Sequence, residues 1–176
     1  VGNSASFSVS TSGTDPLSYQ WFFKGIPLAN GTLSNLALQN LSLSQEGEYQ
    51  AVVRNDFGSV TSNPALLTVL PLPALSITST VASASEVGGG PGSVTITRSY
   101  ATALPLKARY TVGGTARSGA DYQTLSGEAL IPANALSISI PIQALDDPWV
   151  EGPETVDVIL SADPSYTLTL ANKATV

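Results

Sequence analysis

The 176-residue chain contains no cysteine, no histidine and no methionine. Without Cys or His it has no Ser-His-Asp triad, thiol nucleophile, Cys/His zinc site or iron–sulfur cluster. No disulfide can form. A metal site would have to be built from oxygen, which means calcium or magnesium before any transition metal. Charge is also scarce: charged residues make up 11% of the chain, against roughly 25% in ordinary soluble domains. Seven basic and 13 acidic side chains leave a formal net charge of −6, which argues against a nucleic-acid partner because phosphate binding needs a basic surface. No apolar run approaches the roughly 20 residues of a membrane helix. Val1-Gly2-Asn3-Ser4 has no basic region leading into an apolar stretch. Zero cysteines suits a secreted bacterial protein as well as a cytosolic one. Together these absences favour a binding or structural role over a reaction.

What the chain does have is alternation. Apolar residues make up 43% of it, enough for a core. Phe7-Ser8-Val9, Leu36-Ala37-Leu38, Val94-Thr95-Ile96-Thr97 and Ile138-Ser139-Ile140 each put apolar side chains on one face and mostly Ser or Thr on the other. Gly, Pro, Asn and Asp interrupt these runs at intervals of about ten residues, as strand-turn-strand structure requires. No long stretch holds helical spacing. The fold class is therefore all-β, as two tandem antiparallel β-sandwiches. Leu70-Pro71-Leu72-Pro73 marks the boundary, because proline removes ladder donors and stiffens the connection. The expected organisation is a first domain over 1–70, a proline linker over 71–73 and a second domain over 74–176.

In the first half, Tyr19-Gln20-Trp21-Phe22-Phe23 reads as a strand with a central Trp, and Tyr49 follows 28 residues after Trp21 in Glu46-Gly47-Glu48-Tyr49-Gln50-Ala51. This pattern resembles an immunoglobulin-like domain, in which a Trp packs between the sheets and a Tyr hydroxyl bonds back to upstream backbone. The resemblance places the family's two bridge cysteines at Val9 and Ala51, so packing around Trp21 replaces a bridge whose loss costs roughly 2 to 5 kcal/mol. It also implies that the first strand is missing or truncated. Tyr19, Trp21, Phe22 and Phe23 read as core and inter-sheet packing, with a sugar-stacking platform as the alternative. Glu46 and Glu48 read as solvated acids at a corner. Asn30-Gly31-Thr32 and Asn40-Leu41-Ser42 are glycosylation sequons only in a eukaryotic secretory host, and Asn30-Gly31 is more simply a tight turn.

The acids concentrate in the second half. Nine of the 13 fall after residue 70, and four of these lie in Asp146-Asp147-Pro148-Trp149-Val150-Glu151-Gly152-Pro153-Glu154, a segment without Lys or Arg. Carboxylates this dense repel unless solvated, protonated or gathered around a cation. Pro148, Gly152 and Pro153 make the segment a loop between strands at 137–145 and 155–160. The Asp-x-Asp-x-Asp-Gly spacing of an EF-hand is absent. A solvated connecting loop and an oxygen cage for calcium remain the two readings of these residues. A glycosidase acid and base would need a cleft that nothing signals. Gly88-Gly89-Gly90 lacks the lysine and following helix of a phosphate loop and reads as a flexible hairpin turn.

The run Gly114-Thr115-Ala116-Arg117-Ser118-Gly119-Ala120-Asp121-Tyr122, followed by Asp146-Asp147 and Glu151-Gly152-Pro153-Glu154, resembles a Calx-β domain over Ala74 to about Leu170. That resemblance implies a calcium-binding or structural β-sandwich. Its proposed ligands are Glu86, Asp121, Asp146, Asp147, Glu151 and Glu154, with the carbonyl of Trp149, meeting at one end of the sandwich. Tyr122 is then a core anchor. The family's last strand runs into a further acidic cluster, whereas here the chain ends at Lys173-Ala174-Thr175-Val176, so the expectation is a truncated last strand and weakened cation sites.

The resulting expectation is an internal piece of a larger bacterial surface or secreted protein. It acts as a non-catalytic extracellular structural or adhesive module that binds calcium and works with neighbouring domains or subunits, with a protein or glycan ligand on a surface. Two alternatives stand beside it: a subunit of a self-assembling fibre joined by strand complementation, and a glycan-binding accessory module of a secreted enzyme.

Overall fold

The computed structural model describes residues 1–86, 88–146, 148 and 152–176. It is all-β apart from a single 3-10 turn at Leu43–Gln45. No described helix is long and apolar enough to cross a membrane. The chain divides into two compact units, Val1–Pro71 and Leu72–Val176.

The first unit contains β1 (Ala5–Ser8), β2 (Ser18–Phe23), β3 (Ile26–Pro27), β4 (Asn35–Leu38), β5 (Gly47–Asn55), β6 (Gly58–Thr61) and β7 (Ala65–Leu67). β1 and β4 form a two-stranded sheet, and β3, β2, β5 and β6 lie in that order in a five-stranded sheet, in which β7 also pairs with β5. Alternation decides what is buried. Trp21, Leu36, Tyr49 and Ala51 form the core, with Phe7, Val9 and Phe23 packed against it. Trp21 and Phe23 thus serve the core, not a sugar platform. The Trp21 indole N–H donates to the carbonyl of Leu33 at 2.9 Å, which satisfies the one polar atom of a side chain that is otherwise sealed in. Val9 and Ala51, where the resemblance puts the bridge, both belong to this cluster.

The closing strand of this unit is short, Ala65–Leu67. One detail differs from expectation. The Val69 N–H leaves the ladder and donates to a Glu46 carboxylate oxygen at 3.1 Å, so Glu46 is a tie to the departing chain and not simply a solvated acid.

The second unit contains β8 (Ala74–Val81), β9 (Gly92–Arg98), β10 (Leu106–Gly114), β11 (Glu128–Ile131), β12 (Ser137–Ile142), β13 (Val156–Leu160), β14 (Thr167–Leu168) and β15 (Lys173–Thr175). Its two four-stranded sheets have the orders β11-β10-β13-β15 and β12-β9-β8-β14. All pairings are antiparallel except β14 with β8. Leu75, Ile77, Val94, Ile96, Tyr110, Val156 and Val158 are among the core residues between them. The segment Gly88 to Pro91 lies in the connection of the β8–β9 hairpin. The strand expected over 137–145 stops at Ile142. Beyond that point its backbone turns to another partner: the Gln123 N–H donates to the Gln143 carbonyl at 2.8 Å, and the Leu145 N–H donates to the Asp121 carbonyl at 2.9 Å.

Candidate functional site

These two bonds fasten the start of the acidic segment to the loop carrying Asp121. The loop itself is shaped from β10 onward. Gly114 has φ +111, a backbone conformation that L side chains seldom adopt. Just beyond it, the N–H groups of Thr115 and Ala116 donate to the Thr155 carbonyl at 3.0 and 3.1 Å. The Thr155 N–H returns a bond to the Thr115 hydroxyl at 2.9 Å. The 115–122 loop and the segment entering β13 are therefore tied together before any ligand is considered.

Between them opens a cavity of about 480 Å³. Its floor is apolar and buried, with Tyr122, Ile142 and Val156 each at most 6% exposed. Tyr122 is accordingly a core anchor. Glu86, Asp121 and Glu154 line the same cavity. They come from the β8–β9 connection, the loop after β10 and the segment before β13, so residues up to 68 positions apart meet at one end of one sandwich (154 − 86 = 68).

Asp121 is held by two hydrogen bonds. The Arg117 N–H donates to its carboxylate at 2.6 Å, and the Glu154 carboxyl hydrogen-bonds to the same group. The Arg117 backbone bond, followed by the Glu154 bond, holds the Asp121 carboxyl below the usual range, with the Arg117 charge adding to this and partial desolvation opposing it. Two carboxyl groups in hydrogen-bonding contact share either a proton or a cation, because two bare charges at that separation repel.

Asp146 is exposed and is not among the residues lining the cavity. Asp147, Trp149 and Glu151 lie outside the described residues. Among the described residues, no group of three or more acidic side chains is close enough to hold a metal ion by itself. What the described part offers is one carboxyl pair, a third acid lining the same cavity, and oxygen as the only donor chemistry. That set fits a hard cation in kind, with calcium's six to eight ligands shared among several loops.

Ser85, Ala116 and Val176 also line the cavity, and sequence reasoning missed all three. Val176 arrives there because it exchanges backbone bonds with Val156 at 2.7 and 3.0 Å, a pairing that no local pattern announces.

Residues 1–69 match the immunoglobulin I-set domain model. The first unit is thus an immunoglobulin-like domain, and the sheets show an all-β architecture among the described residues. Cartilage intermediate layer protein 2 of Mus musculus is 39% identical over 74 residues, covering 40% of this chain and 6% of that protein. The chain therefore spans a small fraction of that relative's length. Among solved structures, the apo-form Calx CBD1 domain is 20% identical, with a TM-score of 0.48, covering 60% of this chain and 94% of that one. CBD12 from CALX1.2 is 12% identical with a TM-score of 0.42, covering 99% and 87%. The titin I-band fragment I67–I69 is 15% identical with a TM-score of 0.38, covering 99% and 57%.

Proposed function

We propose that the chain is a non-catalytic extracellular structural module whose second unit binds a calcium ion at the cavity lined by Glu86, Asp121 and Glu154. The carrying observation is the hydrogen bond between the carboxyl groups of Asp121 and Glu154, two residues that line that cavity. A cation bridging the pair relieves their repulsion and braces the loops that carry them. Glu86 supplies a further oxygen from the third connection. Asp146, Asp147 and Glu151, with the Trp149 carbonyl, are the remaining donors that the Calx-β resemblance assigns. The ion's contribution is electrostatic and mechanical: it cross-links loops and takes part in no reaction. An extracellular setting is supported by the mouse relative, whose name places it in cartilage, and millimolar calcium is available there. The match to 6% of that protein supports a role as one module among others, acting with neighbouring domains.

Thermal unfolding of the whole chain in millimolar calcium against chelator tests this. Calcium at 100 times its dissociation constant stabilises the bound unit by about 2.7 kcal/mol. Asp121→Asn and Glu154→Gln each remove most of that increment, whereas magnesium, which demands a smaller and stricter octahedral cage, gives less of it. Identical unfolding with calcium and chelator would overturn the proposal.

A further inference from the structure

Asn30-Gly31 is the one Asn-Gly step in the chain, and no Asp-Gly step occurs. The other asparagines precede Ser, Leu, Asp, Pro, Ala or Lys. Glycine has no side chain to shield its backbone nitrogen or to restrict the rotation that brings this nitrogen against the asparagine Cγ. In an open chain Asn30 is therefore the asparagine most exposed to attack by its own backbone.

The folded unit holds that nitrogen elsewhere. The turn Leu28–Gly31 is closed by the Gly31 N–H, which donates to the Leu28 carbonyl at 3.0 Å. Both ends of the turn are fastened to β2: the Leu28 N–H donates to the Trp21 carbonyl at 2.9 Å, and the Trp21 N–H donates to the Gly31 carbonyl at 2.7 Å. The Gln20 side-chain amide adds a bond to the Leu28 carbonyl at 2.7 Å. Asn30 is exposed, whereas Gly31 is buried. A Cβ on Gly31 would lie 2.8 Å from that of Trp21, so the backbone here has little room to shift against the core. A buried N–H already committed to an acceptor is a poor nucleophile, because cyclisation requires it to lose its proton and turn toward the side chain.

We infer that Asn30 is a modification site gated by unfolding of the first unit. While the turn is closed, the amide persists. When the unit opens, hydroxide takes the Gly31 amide proton and the nitrogen attacks Asn30 Cγ. A C–N bond forms, the bond from Cγ to the side-chain nitrogen breaks, and that nitrogen leaves as ammonia with a proton from water, which regenerates hydroxide. Water then adds to either carbonyl of the five-membered imide and opens it to aspartate or isoaspartate, with no change of oxidation state. Isoaspartate runs the main chain through an additional methylene carbon, and the bonds that close Leu28–Gly31 onto Trp21 no longer match it. A reversible opening thus becomes a permanent one. The site lies in the first unit and does not depend on the cation cavity.

The test incubates the whole chain in mildly alkaline buffer, with and without guanidinium chloride above the unfolding midpoint. Conversion at Asn30 is followed by mass in the tryptic peptide Gly25–Arg54, and isoaspartate by enzymatic methylation. Conversion is expected to be at least about tenfold slower in native buffer, while Asn35 and Asn40 in the same peptide convert slowly in both. After dilution from guanidinium, chains carrying isoaspartate are expected to remain open to limited proteolysis in the first unit. Asn30→Asp, with an ordinary main chain, is expected to refold and resist the protease as the parent does. Equal rates with and without guanidinium overturn the inference, as does native protease resistance in the isoaspartate-bearing chains. If Asn30→Asp itself fails to fold, the two rates measured on the parent chain still decide.

Discussion

The Tyr49 hydroxyl donates to the carbonyl of Gln45 at 2.9 Å, while its ring packs between those of Phe7 and Phe23, with centroids 4.9 and 4.8 Å away. One side chain thus joins the two sheets and fixes the turn that enters β5. Burial raises the phenol's pKa, so it remains a donor at every physiological pH. Tyr49→Phe keeps the stacking and loses only the bond, for an expected cost of about 1 kcal/mol. Tyr49→Ala empties the core and costs roughly 3 to 5 kcal/mol, the range for aromatic truncations. Denaturant unfolding of the first unit measures both, and a Phe variant as stable as the parent would remove the hydrogen bond from the account.

Arg98 is 1% exposed and is the one charged side chain in the described core. Among the described residues no carboxylate pairs with it. Its guanidinium donates instead to the carbonyls of Ala135, Pro132 and Leu104 at 2.7, 3.0 and 3.2 Å, and to the Thr102 hydroxyl at 2.7 Å. These bonds tie the connection after β9 to the one between β11 and β12. Arg98→Met leaves several buried acceptors without donors and is expected to cost more than about 3 kcal/mol. Arg98→Lys, with its charge kept but the planar fork lost, falls between the two. Urea unfolding of the second unit distinguishes them, and a methionine variant within about 1 kcal/mol of the parent would contradict this role.

Arg98 also shows how far sequence reading reaches. Gly92, Val94, Ile96 and Arg98 are all buried at two-residue steps, so the alternation already placed the arginine inward, although its basic side chain draws attention toward the surface. Trp21 was legible from the alternation of its strand, and Tyr49 through the immunoglobulin-like resemblance. Asp121 and Glu154 were legible only through the Calx-β resemblance, since nothing local says that residues 33 positions apart (154 − 121 = 33) will touch. The exposure of Val60 was illegible, because alternation puts it on the face of Val53 and says nothing of what packs over it.

Gly114 tests the coupling between strand exit and site. A Cβ at this position would run into the Thr155 carbonyl, and φ is +111. Gly114→Ala is therefore expected to cost about 2 kcal/mol or more from strain and overlap. The same carbonyl accepts from Thr115 and Ala116, so the displaced segment takes the Asp121 loop with it. The variant is expected to lose both intrinsic stability and part of the calcium-dependent increment. Melting with calcium and with chelator separates the two effects. A variant that loses stability while keeping the full calcium increment would show that the loop is positioned without this contact.

Acid should destabilise the second unit through Asp157 and Asp163. The Thr175 hydroxyl and then the Lys173 ammonium hold the Asp157 carboxyl below its ordinary 3.8, at 2.6 and 2.9 Å. Bonds from the Ser165 hydroxyl and N–H, followed by the Arg109 charge, do the same for Asp163. A carboxyl that is more acidic in the folded state binds a proton more tightly when unfolded. Its stabilising contribution is therefore complete above the unfolded pKa and disappears as pH falls through the lowered folded value. Unfolding free energy is expected to be flat from neutrality to about pH 5 and to fall below about pH 4, near the ordinary carboxylate pKa. Asp157→Asn lowers stability at pH 7, where the bridge between β13 and β15 is ionised, and makes little difference at pH 2, where the parent has lost its charge as well. Melting curves of parent and variant across that range should converge toward acid, and a constant gap at all pH values would show that the Asp157 charge is not what joins the two strands.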